Sequence, residues 1–158
     1  MSKEGDSLVD LAVGQGGDLP KWIASRLGFV LGLDISGNNI ENGLSGACAR
    51  YLSYAKKAKK IPDAIFLVGN SSLNIKSGEG ISTDQGKQII SALFGSDSGA
   101  HLGRMVTRNA GVAANGFDVC SMQFAIHYMC ENLDKLSQFV RNVAECTKLG
   151  GHFIATAY

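Results

Sequence analysis

Apolar and polar positions along the chain fall into two alternating kinds of block. Short continuous apolar runs bounded by turn residues read as buried strands, and stretches with apolar side chains every three to four positions read as helices. Residues 7–13 are an apolar run closing on glycines, a first strand. A short helix is predicted over 19–27, with Pro20 in its first turn, where a missing N–H does no harm. Residues 29–35 form a second strand. Ser36 is placed to N-cap a long helix reaching Lys60, whose apolar face is Ile40, Leu44, Ala47 and Cys48, Tyr51, Ala55 and Ala58. A third strand covers 64–68, between Pro62-Asp63 and Gly69-Asn70, and a helix over 83–94 is capped by Ser82 or Thr83. The pattern then weakens. Residues 95–116 mix Gly, Ser, Ala and Asn with little periodicity and are expected in part to be a mobile surface loop. Residues 117–122 are a fourth strand and 132–148 a helix carrying Leu133, Leu136, Phe139, Val140, Val143 and Ala144. Gly150-Gly151 breaks that helix before a fifth strand, 152–158.

Strands alternating with helices predict an α/β fold: a doubly wound, mainly parallel sheet covered on both faces. The expected strand order is 3-2-1-4-5, with a ligand crevice at the C-terminal ends of the strands. Strand five is then a sheet edge, apolar and without a charge to block pairing, so self-association is expected there. A length of 158 residues suits one domain with a single core. The 45% hydrophobic content excludes a disordered segment, and a net charge of +1 excludes a general polyanion binder, so any nucleic-acid contact must be local. No apolar run is long enough to span a membrane. Cys48, Cys120, Cys130 and Cys146 form no CxxC pair, and His101, His127 and His152 are scattered; buried reduced thiols and no metal site are expected.

The strongest chemical signal is Val9-Asp-Leu-Ala-Val-Gly-Gln-Gly-Gly-Asp-Leu19. A strand running into Gly14-x-Gly16-Gly17 and then a helix lets a ligand approach the backbone where a Cβ would block it. A nicotinamide-dinucleotide fingerprint requires a third glycine where Leu19 stands, and a pyrophosphate would be repelled by Asp18. A sulfonium cofactor, with an amino-acid tail bearing an ammonium and no phosphate, tolerates acids around such a turn. Asp10 and Asp18 are candidates to orient that tail, although Asp10 alternatively fixes the turn's own backbone donors. Asp34 ends the second strand 18 residues after Gly16. That is near the spacing of about 20 for an acid that accepts ribose hydroxyls. After the third strand, Asn70 and Ser71 either meet an adenine edge or form a plain turn.

Together these stretches resemble the mRNA cap guanine-N7 methyltransferases, which are S-adenosylmethionine-dependent. Asp10-Leu-Ala-Val-Gly-Gln-Gly-Gly-Asp18 with Lys21-Trp22, the acid of Asp34-Ile35, Gln123-Phe-Ala-Ile-His-Tyr128 after the fourth strand, and Gly150-Gly-His-Phe-Ile-Ala-Thr156 carry the resemblance. Phe117-Asp-Val-Cys-Ser-Met-Gln-Phe-Ala-Ile-His-Tyr128 is its most specific part, and within it Gln123–Tyr128 is similar to large-DNA-virus members, as are Asn39-Ile-Glu-Asn and Gly46-Ala-Cys-Ala-Arg-Tyr51. The resemblance spans the chain apart from 76–115. Gln15 departs from the family's usual Lys, and Asn70 from its frequent Asp.

The resemblance implies methyl transfer from S-adenosylmethionine to N7 of the cap guanine of mRNA. It implies Phe124, His127 and Tyr128 on the guanine side, Gln123 and Tyr128 toward the cofactor, and Arg50 toward the cap phosphates. It also implies capped RNA and other capping domains or subunits as partners, and an intracellular setting, nucleus or cytoplasm. Guanine N7 has a free lone pair and no proton to lose, so positioning suffices and no residue is cast as general acid or base. Read without the resemblance, Phe124 and Tyr128 fit a helix core face, His127 a buried imidazole and Arg50 a surface cation. The Lys56, Lys57, Lys59, Lys60 cluster reads as a solvated helix end that complements the helix dipole rather than as its alternative, an RNA site. The family carries elements on both sides of this stretch, so the chain is expected to be a core of a longer protein, binding the cofactor weakly and transferring little alone. Rival readings are a methyltransferase for another substrate and a non-catalytic scaffold of the same fold.

Overall fold

A computed structural model of the chain describes residues 2–157. Five strands, β1 (Ser7–Asp10), β2 (Phe29–Asp34), β3 (Asp63–Val68), β4 (Phe117–Gln123) and β5 (Thr147–Thr156), form one all-parallel sheet in the order β3-β2-β1-β4-β5. The order reverses between β2-β1 and β1-β4, which opens a crevice beyond the C-terminal ends of the strands. One face is covered by α1 (Leu19–Ala24), α2 (Gly37–Glu41) and α3 (Ala47–Ala55), and the other by α4 (Asp84–Leu93), α5 (Arg104–Asn109) and α7 (Leu133–Cys146), with the short α6 (Ile126–Met129) following β4.

The two cores follow from the sheet's two buried faces. Leu8 and Val30 pack with Leu19, Trp22, Ile40 and Ala47 on the first face. Val9, Leu31 and Leu33 pack with Ile90, Leu93, Val106 and Phe139 on the second. Phe117 joins the layers of the second core, stacked on Phe29 at 6.5 Å and edge-on to Phe94 at 5.9 Å.

Several expectations are corrected. The long helix expected from Ser36 to Lys60 is two helices. Asn42 Oδ1 accepts from the Leu44 and Ser45 amides, closing a turn, and any Cβ at Gly46 would lie 2.7 Å from Asn42 and Ile40 backbone atoms. Leu44 falls in this turn and is 97% exposed, and Ala55 is exposed as well, so neither belongs to the apolar face. β1 stops at Asp10 because the chain turns there into the glycine loop, and α1 stops at Ala24, before Arg26 takes a positive φ of 53°. β5 begins at Thr147. It pairs Phe117 with Thr147 and then Val119 with His152, and Gly150 at φ 78° absorbs the irregularity between them. Tyr158, placed at the end of the fifth strand, lies outside the described residues.

The segment 95–116 lies outside the sheet, but it holds α5, and it buries Val106 and Ala113. Its amides at Gly111 and Ala113 donate to the Ala92 and Leu93 carbonyls, and Arg108 and Asn109 grip the Asp63 carboxylate. Few apolar residues suffice here because hydrogen bonds to neighbouring elements hold the backbone, which hydrophobic periodicity does not register.

All four cysteines are free. Cys120 and Cys146 are buried as expected, with burial pushing the Cys146 thiol up to about 12, whereas Cys48 is half-buried and Cys130 exposed. No group of His, Cys, Asp or Glu among the described residues is placed to hold a metal ion, and no helix among them is long and apolar enough to cross a membrane.

Candidate functional site

The glycine turn follows directly from β1. The Leu11 amide donates to the Ser121 carbonyl and the Val13 amide to the Leu33 carbonyl, which binds the loop between the ends of β4 and β2. Gly14 (φ 55°) and Gly16 (φ 71°) are both left-handed. Space is not the reason for glycine here: a Cβ on Gly14 would meet nothing within 4 Å. Backbone conformation is the reason, since other L-residues visit this region at a cost. Asp18 begins α1 without a side-chain cap bond, and its carboxylate pairs with Lys21 Nζ at 2.6 Å.

Asp34 ties this turn to β2. Its Oδ2 accepts from the Gly14 amide at 2.8 Å, and its Oδ1 accepts from the Ser36 amide at 2.9 Å and from Asn39 Nδ2 at 3.1 Å. A carboxylate has about four acceptor positions. Three of Asp34's are therefore engaged within the protein, which leaves room for one further donor.

Asp10 is 2% exposed and accepts from the Ala12 amide at 3.1 Å, so it fixes the turn's own backbone. Burial pushes its carboxyl up to about 7, and the nearby Asp18 and Asp34 charges add to the rise against the Ala12 hydrogen bond. From about pH 4 to pH 7 the folded chain holds a proton on Asp10 that the unfolded chain has released, so stability falls as pH rises through that window. At about three pH units, the deficit above pH 7 is on the order of 4 kcal/mol. Asp10→Asn keeps an acceptor for Ala12 and removes the ionisation. It is expected to match the parent near pH 4 and to exceed it in stability by a few kcal/mol at pH 8, by urea denaturation at both pH values. An advantage that does not grow with pH would contradict the assignment.

Beyond β3 the chain forms the wall of a cleft of about 480 Å³. Asp34, Ile35 and Ser36 line it from the end of β2, Asn70 and Ser71 from the loop after β3, and Tyr128 and Met129 from α6. Asn70 Oδ1 accepts from the Ser72 amide, and the Ser71 hydroxyl donates to the Leu11 carbonyl at 2.6 Å, which fastens this wall to the end of β1. The clamp beneath it was not foreseen. Asn142 of α7, fully buried, accepts from the Ile75 amide at 3.0 Å and donates to the Ser71 and Leu73 carbonyls at 2.8 and 2.7 Å. The signal was present as a lone Asn on the apolar face of that helix. Ile35, Met129, Glu131 and Lys135 also line the cleft and were not singled out, the last two joined as an ion pair.

At the end of β4 the chain turns sharply. Phe124 sits at φ 57°, a conformation that bulky residues avoid, held by its amide donating to the Thr156 carbonyl at 3.0 Å and to Thr156 Oγ1 at 3.1 Å. Phe124 and Tyr128 are 53% and 65% exposed, and the Tyr128 ring lies 4.1 Å from that of His127. They are therefore not core residues. Gln123 turns to the sheet edge: its Nε2 donates to Ser121 Oγ, and its Oε1 accepts from Thr156 Oγ1. Arg50 lies on α3 against the glycine turn, where a methyl on Gly16 would sit 3.9 Å from Arg50 Cδ.

Of the sequence-predicted residues, Asp34, Asn70, Ser71 and Tyr128 meet in the cleft. Asp10, Gly14, Gly16 and Asp18 belong to the neighbouring glycine turn and, like Phe124, His127, Gln123 and Arg50, stand outside the cleft's lining.

The all-parallel sheet with its crevice at the switch point is shared with class I S-adenosylmethionine-dependent methyltransferases of known structure. An S-adenosylmethionine-dependent methyltransferase from Mesorhizobium loti superposes at a TM-score of 0.53 over 98% of this chain and 48% of its own, at 18% identity. The chain belongs to the family described as the mRNA (guanine-N(7))-methyltransferase domain, which it matches over residues 2–158. It is 27% identical over 154 residues to the mRNA cap guanine-N(7) methyltransferase 1 of Oryza sativa subsp. japonica, covering 96% of this chain and 32% of that protein. It is 24% identical over 161 residues to a protein of Acanthamoeba polyphaga mimivirus named "Probable mRNA-capping enzyme", covering 99% of this chain and 12% of that protein. The chain thus spans about a third or less of the length of these relatives.

Proposed function

We propose that this chain carries the methyl-transfer centre of an mRNA cap guanine-N7 methyltransferase, with S-adenosylmethionine as the donor and the 5′ cap of RNA as the substrate. The observation that carries the reading is one juxtaposition: an acid-rimmed glycine turn and an exposed Phe-His-Tyr cluster at the same end of the sheet. The donor set fits the cofactor. Asp10, Asp18 and Asp34 around the turn suit a ligand with cationic groups and no phosphate, and they oppose a pyrophosphate.

In this reading Asp34 takes a ribose hydroxyl through its remaining acceptor position, and Asn70 and Ser71 face the adenine edge. Asp18 sets a negative field for the ammonium end, to which Asp10 adds once it ionises above about pH 7, and Gly14 and Gly16 keep the backbone free of side chains there. When bound, S-adenosylmethionine supplies an electrophilic methyl group. Phe124, His127 and Tyr128 hold the guanine plane, and Arg50, beside the turn, faces the phosphates between cap and transcript. Gln123 supports this cluster by fixing the end of β4 to β5. No residue needs to move a proton, because N7 presents its lone pair without one. Catalysis is then placement, a contribution of up to about 7–11 kcal/mol when the reacting atoms are aligned. The outer edge of β5, at the end of the sheet among the described residues, is the surface on which a second copy or another capping subunit would pair.

Two measurements test this. Calorimetry with S-adenosylhomocysteine is expected to give saturable binding. Label from S-adenosylmethionine is expected to pass, slowly, to a capped RNA but not to the same RNA capped with 7-deazaguanosine, which lacks N7. Equal labelling of both RNAs would assign the methyl to another atom, and absence of cofactor binding would leave a scaffold of the same fold.

A further inference from the structure

The basic residues are distributed unevenly, and the imbalance has a direction. Residues 19–62 hold seven Lys and Arg against two acids, Asp34 and Glu41, whereas the rest of the chain holds eight against twelve. Most cations outside this stretch are neutralised locally: Lys87, Arg108, Lys135, Arg141 and Lys148 each make a salt bridge. Within it, Lys21, Arg26 and Lys60 do the same. Arg50, Lys56, Lys57 and Lys59 make none among the described residues, and all four lie on α3 or in the turn after it.

A helix C-terminus accounts for one or two lysines in its last turn. It does not account for Arg50, in the middle of α3, or for what lies between. Arg50, Tyr54 and Lys57 are four and then three residues apart, so they form one stripe along the helix surface. Tyr51, one turn back from the stripe's centre, is held by its hydroxyl donating to the Pro62 carbonyl, while Tyr54 stays exposed. The stripe begins where α3 touches the glycine turn, with Ala47 and Arg50 against Gly16, and leads away from the cleft for about 10 Å at helical rise. Beside its far end, Lys56 and Lys57 edge a surface groove of about 440 Å³ that Ser53 and Leu52 also line, with Glu41 as its one acid.

We propose that this face of α3 is a track for single-stranded RNA, holding the nucleotides that follow the cap. The inference rests on the functional reading above and extends it from the cap to the transcript. Cations at the two ends of the stripe match separated phosphates of one strand, and an exposed tyrosine between them offers a base a surface to stack on. An acidic peptide would use the same cations but has no need of the ring, which decides between the two occupants. The overall charge of +1 conceals the track because acids elsewhere in the sequence cancel it.

Fluorescence anisotropy with an uncapped single-stranded RNA ten-mer tests the track without relying on cap recognition. The wild-type chain is expected to bind it with affinity that falls steeply with salt. The double variant Lys56→Glu/Lys57→Glu is expected to lose tenfold or more and to show a shallower salt dependence, by about 0.7 log units per lost phosphate contact. Tyr54→Ala is expected to lose about fivefold or more with the salt slope unchanged. These side chains are exposed, and S-adenosylhomocysteine binding measured alongside is expected to be equal in all variants, which verifies folding. RNA affinity indifferent to both substitutions overturns the track. So does an acidic peptide that binds the same face more tightly and ignores Tyr54→Ala. A wild-type chain that binds RNA but not S-adenosylhomocysteine overturns the functional reading and leaves the track standing.

Discussion

Replacing Asp34 by alanine is expected to weaken S-adenosylhomocysteine binding at least a hundredfold, the largest loss among single substitutions around the cleft. Two effects combine. The residue would forfeit its own contact with the ligand, and charged hydrogen bonds of that kind contribute roughly 1.5–3 kcal/mol each. It would also release the Gly14 amide, the Ser36 amide and the Asn39 side chain together. The glycine turn then loses its anchor to β2, so the cradle itself loosens. Asp34→Asn separates the two effects. Its carbonyl oxygen can still accept from part of this set, so it is expected to keep more of the fold's stability than Asp34→Ala while binding the ligand poorly. Calorimetry on variants shown to be folded by circular dichroism decides the matter. A folded Asp34→Ala protein with wild-type affinity would remove Asp34 from the site.

Asn142→Ala is expected to be the most destabilising change at a polar position, by about 3 kcal/mol or more in urea denaturation. The loss is not of one hydrogen bond. The Asn142 amide satisfies three backbone groups in a fully buried place, the Ile75 N–H and the Ser71 and Leu73 carbonyls. Each buried group left without a partner costs about 1–3 kcal/mol. Asn142→Asp is expected to be nearly as harmful, since it still accepts from Ile75 but sets a carboxylate against two carbonyls. Because the same loop lines the cleft through Asn70 and Ser71, ligand affinity is expected to fall together with stability. A variant with unchanged unfolding free energy would mean that water replaces the amide, and the loop would not depend on α7.

Some of this protein could be read without coordinates. Strand order, both helical layers and the glycine turn follow from local physics: apolar runs of strand length, helical periodicity, and glycines where the backbone must take positive φ. Asp34 was legible for the same reason, standing at a fixed place at the end of β2. The Gln123–Tyr128 motif pointed to the family, but it did not indicate that Gln123 turns to the sheet edge while Tyr128 faces the cleft. A one-dimensional pattern carries no rotamers, and the direction of each side chain there is set by the bend at Phe124 and by Thr156, 33 residues beyond Gln123.

The split of the expected long helix was hidden for a related reason. Asn42 and Gly46 are tolerated inside helices often enough to leave the periodic signal intact, and only the closed turn around Asn42 Oδ1 ends α2. What the sequence determined by itself is therefore whatever depends on neighbours along the chain: the elements, their alternation, the turn and the acid that ends β2. What only the tertiary structure decided depends on neighbours in space. Asn142, 71 residues from Ser71, becomes the clamp of the cleft wall. Which of the cations in 19–62 find an acid is also set by the fold: Lys21, Arg26 and Lys60 do, and Arg50, Lys56, Lys57 and Lys59 do not among the described residues. Hydrogen bonding and Coulomb energy fall off over a few ångströms, so groups far apart in the chain act together only once the sheet has brought them into contact.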